Sequence, residues 1–93
     1  MVVGICTVEI YIPEANSLKS KRAVVKSVVQ RLRNKFNVSV CELENQDLWQ
    51  RATLGMACIS SSKDVVQKLF SSTEDFLVGV GTFEVTGVNI EIF

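Results

Sequence analysis

Apolar residues recur along this chain at two periods, and the switches between them mark out its elements. Residues 2–12, VVGICTVEIYI, come to alternate, so Cys6, Val8, Ile10 and Ile12 share one face and Ile5, Thr7, Glu9 and Tyr11 the other. The β-branched content suits a central strand with a half-polar back. Pro13 ends it, and PEANS makes a short crossover. From Ser17 to Phe36 the period lengthens. With Val25 as origin and an advance of about 100° per residue, Leu18, Val28, Val29, Leu32 and Phe36 fall within about 60° of it on either side, the core-facing stripe of a helix. Ser17 is placed to cap this helix and Asn34 or Asn37 to stop it.

Val38 to Glu44 reads as a second strand and Arg51 to Ile59 as a third, with NQDLWQ at 45–50 as the turn between them; strands joined so closely pair antiparallel. A second helix follows a serine-rich cap at Ser60 to Ser62, where Val65, Val66, Leu69, Phe70, Phe76 and Leu77 keep partial helical spacing. Ser71-Ser72-Thr73 is expected to shorten or kink it, and Gly79 and Gly81 to break the chain before the last strand, TFEVTGVNIEIF. In that strand Phe83 and Val85 are out of phase with Val88, Ile90 and Ile92, so a bulge near Thr86-Gly87 is needed to bring both sets to one face. The order βαββαβ makes an α+β chain whose simplest fold is ferredoxin-like: a four-stranded antiparallel sheet with two helices on one face, residues 1–93 forming a single domain.

Composition adds little to this, and charge adds more. A chain of 93 residues with 47% apolar content and one Pro folds around one core rather than remaining disordered. The N-terminal MVVGICTVE lacks a basic segment and meets Glu9 too early for a secretion signal, and no apolar run approaches a membrane span, so a cytoplasmic protein with no membrane partner is expected. Cys6, Cys41 and Cys58 lie apart in apolar strand patterns without CxxC spacing, which predicts buried, reduced thiols. Net charge is zero, yet Ser17 to Phe36 holds seven of the ten Lys and Arg residues and no acid. Lys19, Lys21 and Arg22 stand in the first turn, where cations oppose the helix macrodipole by a few tenths of a kcal/mol each, so local stability does not account for them.

Ser17-Leu18-Lys19 with Lys21-Arg22, the run RLRNKFNVSV from Arg31 to Val40, and above all QDLWQRATLG from Gln46 to Gly55 resemble the YlxP-like family of small bacterial proteins of unknown function. The resemblance covers essentially the whole chain and implies a ferredoxin-like fold, in agreement with the pattern. It implies no activity. Genes of the family often lie near genes for transcription, translation initiation and ribosome maturation, so what the resemblance implies about partners is an association with RNA or the ribosome.

Lys19, Arg22, Lys26 and Arg33 gather in a row about 60° to 120° from the stripe's centre, while Lys21, Arg31 and Lys35 fall on the other flank, where aliphatic stems cover the core's edge and charged ends stay in water. Lys19, Lys21, Arg22, Lys26 and Arg33 are the candidates to neutralise phosphates, with ribosomal RNA or a ribosomal subunit as the partner class. Base reading on the sheet is not expected, since Tyr11 is the sole aromatic of the first strand and Arg51 to Ile59 has none. Gln46, Asp47, Trp49, Gln50 and Arg51 form a second cluster, suited either to a protein interface or to closing one end of the core with Trp49. Val3, Ile5 and Tyr11 make the back of the sheet apolar enough for a homodimer to cover. With no His and no activated Ser or Cys, the chain reads as a non-enzyme without metal or cofactor.

Overall fold

The computed structural model describes residues 1–43 and 47–93. Its central strand is β1 (Val2–Tyr11), flanked by β3 (Arg51–Ser60) and β4 (Glu84–Ile92), with β2 (Ser39–Glu42) outside β3. The order β2-β3-β1-β4 is antiparallel throughout, and α1 (Leu18–Lys35) and α2 (Lys63–Val80) form the ferredoxin-like βαββαβ arrangement with it. Glu44, read from sequence as the end of the second strand, lies outside the described residues.

Alternation in β1 explains the layering. Cys6, Val8 and Ile10 are buried opposite Met56, Leu54 and Ala52 of β3, and the helices close over them with Val25, Val28 and Leu32 from α1 and Val66, Phe70 and Leu77 from α2. Burying each of these large side chains contributes about 1.5–3 kcal/mol relative to exposure. Gly4 lies directly beneath α2, where a Cβ would collide with the Val66 and Phe70 side chains. Its missing side chain lets the helix settle on the strand.

The β4 bulge is present. Glu9 pairs with Gly87 and Ile10 with Val85, leaving Thr86 as the extra residue, whose hydroxyl donates to the Glu9 carbonyl at 3.2 Å. The bulge places Val85, Val88, Ile90 and Ile92 opposite Ile10, Val8, Cys6 and Gly4, all on the helix side. Val85 and Ile92 pack against the core, whereas Val88 and Ile90 between them stay partly exposed on this edge strand.

Four expectations change. α2 runs unbroken through Ser71-Ser72-Thr73, since Thr73 is buried in the core stripe and its hydroxyl donates to the Phe70 carbonyl at 2.8 Å, leaving no orphaned polar group. Gly79 is inside that helix, which stops at Gly81 in the left-handed region, φ 84°. α1 stops at Phe36 rather than at Asn34 or Asn37: the extended Phe36 still donates its N–H to Leu32, and its ring meets Phe76 edge-on at 5.9 Å. Cys41 is exposed. In a strand with Val40 turned inward, its neighbour must face away, and the outer strand offers no cover.

Burial, reinforced by the nearby Glu74 carboxylate and the Cys58 thiol, pushes the Cys6 thiol from its ordinary 9.0 up to about 11. Burial also raises Cys58. A folded-state pKa above the unfolded value means the folded chain keeps a proton that the unfolded chain releases. The contribution is therefore complete below pH 9.0 and is lost as pH rises to about 11. Cys6→Ala should abolish this pH dependence: from pH 9.0 to about 11 the wild type should lose on the order of 2–3 kcal/mol relative to the variant, read from chemical-denaturation midpoints. Gly4→Ala should cost about 1–3 kcal/mol in the same assay through overpacking against α2.

Candidate functional site

α1 begins with a capping box made from two serines: Ser17 Oγ accepts from the Ser20 N–H at 3.0 Å, and Ser20 Oγ accepts from the Ser17 N–H at 3.2 Å. No acid stands in this first turn. The helix then runs back along β2, its early turn reaching Glu42 and its last turn Val40. With Val25, Val28 and Leu32 buried, Lys19, Arg22, Lys26 and Arg33 are exposed along one flank, as their spacing predicts. No carboxylate of the described residues pairs with Lys19, Arg22 or Lys26. Arg33 donates Nη2–H to the Val40 carbonyl at 2.9 Å, which ties it to the edge strand while leaving other guanidinium donors free in direction. Arg31 and Lys35 lie over the Phe76 ring at 5.1 and 5.0 Å and are held by that contact.

Lys21 departs from expectation. It is fully buried, with its ammonium 2.7 Å from the Glu42 carboxylate, so its charge is not in water and is not presented to a polyanion. The wheel carried the signal: at about 100° per residue Lys21 lies about 40° from Val25, between Leu32 and Val28 on the core face. A lysine there has to bring a counter-charge in with it, and Glu42 supplies one from β2. Glu42 is the partner of Lys21 that the sequence pattern does not reveal.

The second cluster lies where the chain re-enters the sheet. The Ile12 N–H donates to the Gln50 carbonyl at 2.8 Å, and the Gln50 side-chain amide donates to the Pro13 and Ala15 carbonyls at 3.0 and 3.4 Å. These bonds fasten the segment before β3 to the β1–α1 crossover. Asp47, Leu48 and Trp49 remain exposed, Trp49 at 55% of its surface, so the indole does not plug the core. Arg51 lies over the Tyr11 ring at 4.8 Å. Tyr11, Leu48, Trp49, Gln50 and Arg51, together with Pro13 and Asn16, line an open groove of about 620 Å³. Gln46, expected in this cluster, lies outside the described residues.

Ile5 belongs elsewhere. It projects from the sheet face away from the helices, opposite Ala57, and the exposed Ile59 and Phe93 flank Val3 on the adjoining strands. Tyr11 is six residues further along β1, about 20 Å away, so the apolar end of this face and the Trp49 groove are separate places. Between them Leu43 covers Gly55, and Glu9 lies beside Gly87. Among the described residues no three His, Cys, Asp or Glu side chains gather as metal ligands, and no helix is long and apolar enough to cross a membrane.

Residues 3–90 match the family described as "Protein of unknown function (DUF503)". The chain is 39% identical over 92 residues to "Uncharacterized protein YlxP" of Bacillus subtilis (strain 168), with 99% of this chain and 100% of the relative covered. Among solved structures it resembles "De novo designed protein Foldit4", with a TM-score of 0.55 at 10% identity over 100% of this chain and 97% of the other, a likeness of fold alone.

The buried pair generates a stability test. Glu42→Ala leaves the Lys21 ammonium in the core without this carboxylate and should cost about 3–5 kcal/mol, whereas the double substitution Lys21→Met/Glu42→Leu should recover most of that. Urea midpoints for the three proteins check this. Equal loss in the single and double variants would mean that packing, not charge, holds the site.

Proposed function

Since the chain belongs to DUF503, a family of proteins of unknown function, we propose a role from its own surface: a non-enzymatic cytoplasmic protein that binds structured RNA of a ribosomal kind through Lys19, Arg22, Lys26 and Arg33. The observation that carries this reading is the absence of intramolecular carboxylate partners for Lys19, Arg22 and Lys26 among the described residues. Cations that neither pair at home nor suit their place in the helix dipole are available to an external anion. Lys19 to Arg33 spans about 21 Å of helix, enough to meet several phosphates along a backbone. Such contacts fix position without reading sequence.

A homodimer is the second reading, favoured by Val3, Ile5, Ile59 and Phe93 gathering at one end of the open sheet face, three of them exposed. It uses a surface that the cationic flank does not occupy.

Reversing Lys19, Arg22 and Lys26 to Glu should abolish co-sedimentation with ribosomal RNA, and Lys21→Met in the Glu42→Leu background should leave it unchanged. Three or four phosphate contacts predict a log–log salt slope of roughly −2 to −4 for the wild type. Failure of the wild type to bind ribosomal RNA at low salt sinks this reading. Sedimentation equilibrium decides the second: an assembly at micromolar protein that Ile59→Asp dissolves supports the dimer, and a monomer at every concentration refutes it.

A further inference from the structure

The Trp49 groove has a feature the core does not need. A tryptophan gains most from burial, yet this one is exposed next to an anchored residue, Gln50, which is bonded through its backbone to Ile12 and through its side chain to Pro13 and Ala15. The indole is thus exposed immediately before a residue tied to the β1–α1 crossover. Beside it the Arg51 guanidinium lies over the Tyr11 ring, and both line the same groove. The groove's volume of about 620 Å³ falls in the range of small-molecule sites.

Its position points to the occupant. Asn16 on its wall is the residue before the α1 cap, and Lys19 follows one turn later, so the groove opens at the end of the cationic flank. Glu14, the one carboxylate on that wall among the described residues, would repel a phosphate but can accept a hydrogen bond from a base's amino group. Phosphates therefore suit the helix and a base suits the groove. We propose that the groove takes an unpaired nucleobase of the RNA whose backbone lies along α1, stacked on the Trp49 indole. The proposal rests on the backbone reading above and deepens it: the preferred target is a duplex interrupted by a bulge or loop, with stacking that tolerates any base.

Trp49 is the only tryptophan, so its fluorescence reports directly on the groove. Titrate the full chain with a blunt RNA duplex and with the same duplex carrying a single bulged adenosine, following emission and, independently, filter binding. The bulged duplex should quench Trp49 and bind about tenfold tighter than the blunt one. Trp49→Ala should erase that preference while leaving affinity for the blunt duplex unchanged, and Trp49→Phe should keep most of it. If both duplexes bind equally without quenching, the base proposal fails while the backbone reading stands. Should neither bind, both fail. A change in emission with protein concentration alone would seat a second copy in the groove and overturn the proposal.

Discussion

The rotation of α1 over the sheet is the constraint on which the rest depends. Val25, Val28 and Leu32 press it down, and the 2.7 Å pair between Lys21 and Glu42 pins its first half to β2. An apolar stripe can slide or roll by small amounts at modest cost, whereas a buried ammonium must keep its counter-charge within reach. Turning the helix by one residue, about 100°, would strand Lys21 or bury Arg22 or Lys26. The pair thus fixes which cations reach solvent.

That pair also resolves an apparent defect of the helix. Its first turn contains cations and no acid, the wrong sign for the positive end of the macrodipole. The Ser17–Ser20 box satisfies the terminal N–H groups without charge, and Glu42 brings to Lys21 the negative charge that the helix's own sequence lacks. A local deficiency is offset by a tertiary contact from β2.

The elements were legible because each rests on a local rule: alternation for β1, a wide apolar stripe for α1, a phase change that only a bulge could repair in β4. What escaped was set by position in the fold. Cys41 looked buried by its neighbours, but only the order of strands shows that β2 is an edge. Ser71-Ser72-Thr73 looked like a break, and burial of Thr73 with an internal acceptor turned it into ordinary helix. Lys21 was misplaced because a charged residue was assigned to water by type, when its angle already lay among the valines. Sequence alone fits Trp49 equally to a core plug or a surface, since the bonds beside it join residues 12–15 to residue 50 and leave no local trace.

Subtracting the structural duties of the cations leaves a small remainder. Lys21 balances Glu42, Arg33 holds the Val40 carbonyl of the edge strand, and Arg31 and Lys35 cover Phe76. Lys19, Arg22 and Lys26 have no such duty among the described residues, and two of them stand where the dipole disfavours them. Across the molecule, α2 and β4 carry Asp64, Glu74, Asp75, Glu84 and Glu91. Charge is therefore uneven in a chain of zero net charge: α2 sets Lys63 and Lys68 against its three acids, whereas α1 holds cations and no acid. Zero net charge limits non-specific attraction at long range, so under the RNA reading proposed above affinity would rest on close contact between phosphates and this one helix.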